Sequence, residues 1–340
     1  MKNIYIKTTE TCNLDCPHCF TSGSQGAKIF WNIEKVKNWL AKLDRELPKD
    51  EMFVVALHGG EPFICKMEDL NSVADFVYSL DRETDLSAST NLVYKLTPDR
   101  LEFITQRLSG IMTSWDMVGR FQTEEQLKLW ESNIKTIQDI TQDPMFIKIN
   151  TVLTKPFIHF GIDRYFNEVI FKNNIKYMDI SKLTVHGSAK KNPAIVPTNK
   201  EVRDYFYQLH EYVEKHNLRK EIVIDVLEDI YIKIEKKQMD SGTYFRQCET
   251  NLYTINANGT VSSCPNEAPT AIFGTVDDSI EKLHNSPKRI FQIHQETVLP
   301  DTCYKCDLLD YCGGGCYKQH WDETGCTTPK RLIRELINKT

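Results

Sequence analysis

The sequence lacks three features that would each point to a particular class of protein. It has no basic excess: 42 lysines and arginines face 47 aspartates and glutamates, and the formal net charge is -5. Proteins that bind the phosphate backbone of nucleic acids usually carry a basic surplus. No apolar run approaches the roughly 18 residues of a membrane-spanning helix. The N-terminus also has no apolar stretch typical of a signal peptide. We therefore expect a cytoplasmic protein that binds neither nucleic acid nor a membrane.

Internal repeats and low-complexity segments are absent too, whereas cysteine is plentiful. The chain has eleven cysteines in 340 residues, which is long enough to bury a large core without crosslinks. Disulfide frameworks are typical of small secreted domains. In a chain expected to stay in the cytoplasm, closely spaced cysteines therefore indicate ligands of a metal or an iron-sulfur cluster.

Ten of the eleven cysteines fall into two spacing patterns. Near the N-terminus, a CxxxCxxC triplet is followed directly by Phe20; its members are Cys12, Cys16 and Cys19. Three thiolates on one short loop can hold three irons of a [4Fe-4S] cluster and leave the fourth iron open to another ligand. The alternative for this triplet is a structural zinc site completed by His18. Near the C-terminus stand Cys248, Cys264, Cys303, Cys306, Cys312, Cys316 and Cys326.

Apolar periodicity predicts alternating strands and helices over the first 190 residues. Strands are expected at about residues 4–6, 53–57, 87–91, 111–116, 146–153 and 176–183. The continuous apolar run at 53–57 favours a strand buried on both faces. Asn32 and Thr97 are expected to begin two of the helices, and capping boxes at Thr123 with Gln126 and at Thr198 with Glu201 two more. Six strands separated by helices indicate a parallel sheet, either barrel-like or doubly wound.

The composition changes near residue 237, where we place a domain boundary. Residues 1–237 form the first predicted domain, with a core at about 1–190 followed by linking helices. In residues 238–340, glycine, asparagine and cysteine become frequent, and residues 256–259 read as a hairpin turn.

The triplet and a second motif together resemble the radical S-adenosylmethionine (radical SAM) enzymes. Gly59-Gly60-Glu61-Pro62 follows the second predicted strand and matches that family's GGEP motif. The resemblance covers nearly the whole chain. It implies an α/β fold with a partial (β/α)6 TIM-like barrel, a [4Fe-4S] cluster on the triplet and S-adenosylmethionine on its open iron. Reductive cleavage would then give methionine and a 5'-deoxyadenosyl radical. The residues that would contact the cofactor are Phe20, Gly59, Gly60, Glu61, Ser114, Asp116, Arg120 and Asn150.

The seven C-terminal cysteines resemble the SPASM extension, an iron-sulfur domain found in part of that family. The resemblance implies two auxiliary [4Fe-4S] clusters. The distal cluster would be held by Cys303, Cys306, Cys312 and Cys326, and the nearer one by Cys248, Cys264 and Cys316. The nearer cluster thus lacks a fourth cysteine, and its last iron is either open or bound by an Asp, Glu, His or water.

Two auxiliary clusters and a radical favour oxidative chemistry on a peptide or protein, such as crosslinking, desaturation or side-chain oxidation. One alternative is radical oxidation or decarboxylation of a sugar nucleotide, an aminoglycoside or an amino acid. Another is a non-catalytic iron-sulfur electron carrier. We expect an electron donor such as flavodoxin or ferredoxin. Because the chain begins on the first barrel strand, a peptide substrate would need a separate leader-recognition protein or would bind directly in the cleft. Oxidation also needs a base; the candidates are Asp116, Asp179, Tyr94 and His186.

Overall fold

The fold is known from a computed structural model that describes residues 1–21, 23–25, 27–236, 246–266, 271–319 and 321–339. Ten strands in this part of the chain form one sheet. In chain order, β1 to β10 span Lys2–Thr9, Phe53–Gly59, Thr84–Ser89, Gly110–Ser114, Ile147–Leu153, Tyr177–Lys182, Val223–Ile224, Leu252–Ile255, Thr260–Ser262 and Gly274–Thr275.

Helices connect these strands and continue into the C-terminal region. In chain order, α1 to α15 span Ile33–Glu46, Met67–Tyr78, Pro98–Arg107, Glu124–Thr141, Lys155–Phe160, Ile162–Tyr165, Gly187–Lys191, Asn199–Lys215, Asp225–Lys236, Cys248–Asn251, Ile280–His284, Pro287–Thr297, Asp301–Tyr304, Leu309–Cys312 and Lys330–Ile337. A π-helical segment, Phe166–Phe171, follows α6. None of the helices in these described ranges has the length and apolar character needed to cross a membrane.

The strand order decides between the two sheet architectures that the sequence left open, a barrel and a doubly wound sheet. Strands β1 to β7 lie side by side in chain order, and each is parallel to the next. A doubly wound sheet reverses its strand order at one point, whereas a barrel does not. The absence of a reversal among these strands confirms the predicted partial barrel with its parallel α/β sheet.

The sheet also contains strands that the sequence analysis did not assign to it. Strand β8 pairs in parallel with β1, through Asn3 with Leu252 and Ile6 with Ile255. The predicted hairpin is present, since β8 and β9 are antiparallel, but it extends the barrel sheet. The proposed boundary near residue 237 lies outside the described residues.

The two faces of the barrel strands differ in burial. Phe53, Val55 and Leu57 of β2 are fully buried against the helices, whereas Val54 and Ala56 on the inner face are only half-buried. The prediction of a strand buried on both faces is therefore wrong, because the inner side of this partial barrel lines an open cleft. Polar residues on this inner face are consequently placed to meet a ligand.

The predicted helix starts are confirmed with one difference. Asn32 accepts a hydrogen bond from Lys35 N at the start of α1, and Thr198 with Glu201 forms a complete capping box. Thr123 accepts from Gln126 N, but the side chain of Gln126 accepts from Gln122 N instead of Thr123 N. The box at α4 is therefore only half formed.

Candidate active site

The cysteine triplet lies in the loop that follows β1. Cys12, Cys16 and Cys19 line one cavity of about 210 Å³, which also touches the carboxyl ends of the neighbouring barrel strands. Six of the eight predicted cofactor-contacting residues line the same cavity; they are Phe20, Gly59, Gly60, Ser114, Arg120 and Asn150. Residues from distant parts of the sequence thus converge at the edge of the sheet where parallel α/β folds bind ligands.

Two asparagines hold the triplet loop in place. Asn13 Nδ2 donates to Val93 O at 2.7 Å, and Asn91 Nδ2 donates to Asn13 Oδ1 at 2.7 Å. These bonds connect the triplet loop to the segment after β3. The sequence analysis missed both residues, because no spacing pattern links side chains that are 78 positions apart.

The glycines of the GGEP motif allow a close approach of two backbones. A Cβ at Gly59 would lie 2.3 Å from Thr9 O, and one at Gly60 would lie 2.0 Å from Thr11 O. Gly60 N and Glu61 N donate to these same two carbonyls at 2.9 Å. Glycine at such positions can also allow close approach of the backbone to a ligand. In the structure, the two glycines let the motif pack directly against the triplet loop.

Glu61 is fully buried and its carboxylate is occupied by internal donors. Oε1 accepts from Phe63 N at 3.1 Å and from the Thr90 hydroxyl at 2.8 Å, while Oε2 accepts from Asn91 N at 2.7 Å. Burial raises the pKa of Glu61 to about 7, although these hydrogen bonds oppose the shift. The side chain does not line the triplet cavity, and it joins the end of β2 to the end of β3.

Asp116 likewise does not line the cavity and instead contacts Arg120 and His18. Its carboxylate accepts a hydrogen bond from Arg120 Nε, and Oδ2 lies 3.5 Å from His18 Nε2. Burial disfavours the carboxylate, but His18 and Arg120 outweigh that effect and keep the pKa of Asp116 below its ordinary value. Arg120 itself reaches the cavity, so Asp116 can orient it there. Ser114 lies beside Asn150 in the sheet register.

The zinc alternative for the triplet is not supported by this geometry. His18 is directed at Asp116, and the described residues contain no group of three or more His, Cys, Asp or Glu side chains arranged around a single metal ion. A cubane spreads its cysteine ligands further apart than one ion does. Three thiols around one cavity, with His18 directed at a carboxylate, therefore fit an iron-sulfur cluster with an open iron.

The C-terminal cysteines separate into two groups in space. Four thiols line one small cavity together with Trp321 and Thr328; they belong to Cys303, Cys306, Cys312 and Cys326. Cys264 and Cys316 line a different cavity, next to Asp179 and Lys182. Cys248 belongs with this second pair: burial raises its pKa to about 12, and Glu296, Cys316 and Cys264 add to the shift. This arrangement is compatible with the two ligand sets that the resemblance implied, which stay a prediction.

A buried carboxylate ties two segments of the second group together. Glu249, which follows Cys248, accepts from the Tyr317 hydroxyl at 2.6 Å and pairs with Lys318 Nζ at 2.6 Å; both partners follow Cys316 directly. Glu296 accepts from the backbone N-H groups of Cys248 and Glu249 at 2.8 and 3.0 Å. These contacts fix the positions of two cysteines relative to each other without using the thiols.

Comparisons with known proteins agree with this site. A family model described as a 4Fe-4S single cluster domain matches residues 6–140. The radical SAM cyclopropyl synthase TigE of Paramaledivibacter caminithermalis is 23% identical over 100% of this chain and 74% of its own length. Over its whole length the chain is thus similar to a radical SAM enzyme. This similarity and the matching family model support S-adenosylmethionine and a [4Fe-4S] cluster as its cofactors.

Solved structures share the fold of this chain. Native anSMEcpe with bound AdoMet and the Cp18Cys peptide superposes with a TM-score of 0.76 at 15% identity, over 99% of this chain and 95% of that one. SuiB of Streptococcus suis bound to S-adenosylmethionine gives a TM-score of 0.64 at 15% identity, over 95% and 76%.

The four candidate bases lie in different surroundings. Asp179 Oδ2 accepts from Asn150 Nδ2 at 2.7 Å and from the Ser181 hydroxyl at 3.1 Å, and burial, followed by the charge of Asp225, raises its pKa to about 6. Asp179 and His186 both line the cavity that holds Cys264 and Cys316.

Tyr94 and Asp116 are placed less well for proton transfer. The hydroxyl of Tyr94 lies 2.9 Å from Thr90 Oγ1, and burial raises its pKa well above the ordinary value. Neither Tyr94 nor Asp116 lines the triplet cavity or the cavity around Cys264. Among the four predicted bases, Asp179 and His186 are therefore the two that face open space.

Proposed function

We propose that this radical SAM enzyme oxidatively modifies a peptide or protein side chain. Cys12, Cys16 and Cys19 would hold the [4Fe-4S] cluster at the barrel mouth. Around the cofactor would lie Phe20, Gly59, Gly60, Ser114, Arg120 and Asn150. When bound, the cluster and S-adenosylmethionine supply a 5'-deoxyadenosyl radical that removes a hydrogen atom from the substrate.

One observation supports the oxidative direction most strongly. The triplet cavity and the cavity around Cys264 and Cys316 have a common wall; both are lined by Ser181, Lys182, Thr184 and Asn266. A substrate bound at this wall would have the S-adenosylmethionine site on one side and the nearer auxiliary cysteines on the other. An electron leaving the substrate radical would thus have a short path to an acceptor.

Asp179 is the best placed group to take the proton that leaves with that electron. It belongs to the second cavity beside Ser181, and Asn150 and Ser181 hold its carboxylate oxygen in a fixed orientation. With a pKa of about 6, Asp179 is mostly ionised at neutral pH yet basic enough to accept a proton.

The seven C-terminal cysteines would hold two auxiliary clusters. Cys303, Cys306, Cys312 and Cys326 would ligate the distal cluster completely. Cys248, Cys264 and Cys316 would ligate the nearer one, and Asp179, Asp225 and His186 are the acidic and imidazole side chains in its cavity that could provide a fourth ligand. A flavodoxin or ferredoxin would supply the initiating electron, and a separate protein would present a leader-bearing substrate.

A peptide substrate is favoured over a small metabolite by the relatives. One similar structure contains a bound peptide. Because the similar proteins are enzymes, the alternative of a non-catalytic electron carrier is not favoured.

Deuterium transfer tests this proposal. Reconstituted, reduced enzyme would be incubated with S-adenosylmethionine and with uniformly deuterated short peptides encoded beside its gene. A parallel incubation would contain deuterated free amino acids and sugar nucleotides. We expect deuterium in 5'-deoxyadenosine only with a peptide. The same peptide should lose two hydrogen isotopes, of which the one taken from carbon is deuterium. Deuterium taken only from a small molecule would contradict the peptide assignment.

A further inference from the structure

Lys7 is a buried cation without a protein counterion. It lies on β1, and only 4% of its surface is exposed. Within the described ranges of the chain, no oxygen accepts a hydrogen bond from Lys7 Nζ and no carboxylate lies within 4.0 Å of it. Instead, Nζ lies over the face of the Phe20 ring, 5.5 Å from its centroid. Removing an ammonium group from water costs several kcal/mol unless a negative charge compensates.

The residue beside Lys7 on the neighbouring strand does not supply a counterion. His58 is the register partner of Lys7 on β2, and its Nδ1 accepts from Gly59 N at 2.7 Å. The neutral ring therefore carries its proton on Nε2. Burial, assisted by the charge of Lys7, lowers the pKa of His58 to about 3, so this imidazole stays neutral and cannot serve as a counterion.

Lys7 lies between two of the cysteine groups. On one side, the Phe20 ring under its ammonium group directly follows Cys19 of the triplet. On the other side, Tyr5 of the same strand pairs with Thr254 of β8, and the Thr254 hydroxyl donates to Ser263 O at 2.7 Å, one residue before Cys264. Burial lowers the pKa of Lys7, while the negative charges of Glu10, Cys264 and Cys19 act in the opposite direction.

We propose that Lys7 is a positive charge shared by the N-terminal and the nearer auxiliary iron-sulfur sites, and that it raises the reduction potential of both. This inference rests on the proposed occupation of the two sites by clusters. One-electron reduction adds one negative charge to a cluster, and a fixed ammonium group in a poorly solvated site stabilises the added charge. No proton or bond is exchanged. The charge of Lys7 thereby favours electron transfer into the N-terminal cluster and from the substrate to the nearer auxiliary cluster.

The distal site provides an internal control for this proposal. Its four cysteines line a separate cavity, and the cysteine charges that act on Lys7 are those of Cys264 and Cys19, which belong to the other two sites. The charge of Lys7 should therefore have much less influence on the distal cluster than on the other two.

Potentiometric titration of the reconstituted holoenzyme, followed by electron paramagnetic resonance, tests the proposal. Lys7→Met removes the charge, Lys7→Gln does so with a polar side chain, and Lys7→Arg retains it. In both neutral variants, we expect the reduced-to-oxidised ratio of the N-terminal and nearer clusters at a fixed potential to fall roughly tenfold, which is about 59 mV for a one-electron couple. Lys7→Arg should keep both potentials close to their wild-type values, and the potential of the distal cluster should stay unchanged in all three variants.

Two results would overturn the role of Lys7. One is unchanged potentials in both neutral variants, and the other is an equal shift of all three clusters, which would indicate a general structural change. Iron analysis of the wild-type protein separates this failure from failure of the proposed function. About twelve irons per chain indicate three clusters, so a wild-type protein without the N-terminal or nearer cluster would contradict the proposed function itself.

Discussion

At the scale of single residues, the side chains that shape the site are not all ones that face the cofactor. Glu61 belongs to a motif expected to contact S-adenosylmethionine, yet its carboxylate is bonded to Phe63, Thr90 and Asn91. Asp116 is bonded to Arg120 in the same indirect way. Sequence motifs identified the right region, but whether a residue touches the ligand or supports a neighbour depends on hydrogen bonds that form only in the folded chain.

Replacing Glu61 should therefore destabilise the protein. Glu61→Ala leaves two buried backbone N-H groups and one hydroxyl without acceptors, and we expect a loss of roughly 3 kcal/mol in the free energy of unfolding. Glu61→Gln keeps one acceptor oxygen but directs an amide N-H₂ at a donor, so its loss should be smaller. Denaturant unfolding of both variants provides the measurement.

Glu102 offers the matched control for Glu61. It is an exposed glutamate on α3, and Glu102→Ala should change stability by less than about 0.5 kcal/mol. If Glu61→Ala were no less stable than this control, the bonding role of Glu61 would be wrong.

At the scale of elements, the sequence predicted the parts of the sheet that have a local signal. Alternating or continuous apolar runs mark β1 to β6, and side-chain caps mark α1 and α8. Strand β7 has only two residues, and β8 pairs with β1 across some 250 positions, so neither has a local pattern that would place it in the barrel. The contacts that fix the triplet loop are hidden for the same reason.

One such contact comes from the loop after β6. Gly187 has a φ of 53°, and a Cβ there would lie 2.4 Å from Cys19 O, which accepts a hydrogen bond from Ser188 N at 2.8 Å. Gly187→Ala should displace the triplet loop, because backbone strain is added to a clash with a backbone atom. We expect purified, reconstituted protein to lose most of the N-terminal cluster, measured as about four fewer irons per chain.

Substitution of a second glycine distinguishes the effect of backbone strain from that of the steric clash. Gly161 has a φ of 90°, but a Cβ there would meet no atom within 4 Å. Gly161→Ala should cost stability while keeping its iron. Equal iron loss in the two variants would show that the contact between Gly187 and Cys19 does not position the triplet.

At the scale of the whole molecule, one sheet carries the triplet, the GGEP motif and the hairpin that leads to Cys264. Strand β8 joins the C-terminal cysteine region to the first barrel strand, so the positions of the cysteine groups depend on one continuous set of backbone hydrogen bonds. The resemblance to the SPASM extension implied which thiols would group together. The cavities that share Ser181 and Lys182, and the position of Lys7 between two cysteine groups, could not be predicted, because they arise from strand register.

Cleavage of S-adenosylmethionine tests the central claim most directly, namely that Cys12, Cys16 and Cys19 hold the cluster at which the cofactor binds. Anaerobically reconstituted protein would be reduced with dithionite, mixed with S-adenosylmethionine and assayed for 5'-deoxyadenosine. Cys65→Ala is the matched control, because Cys65 is a buried cysteine outside both groups whose thiol only contacts Thr8 O. We predict 5'-deoxyadenosine from the wild type and from Cys65→Ala, and none when Cys12, Cys16 and Cys19 are all replaced by alanine. An iron-loaded wild-type protein that forms no 5'-deoxyadenosine, or a triple variant that forms as much as the wild type, would contradict the account.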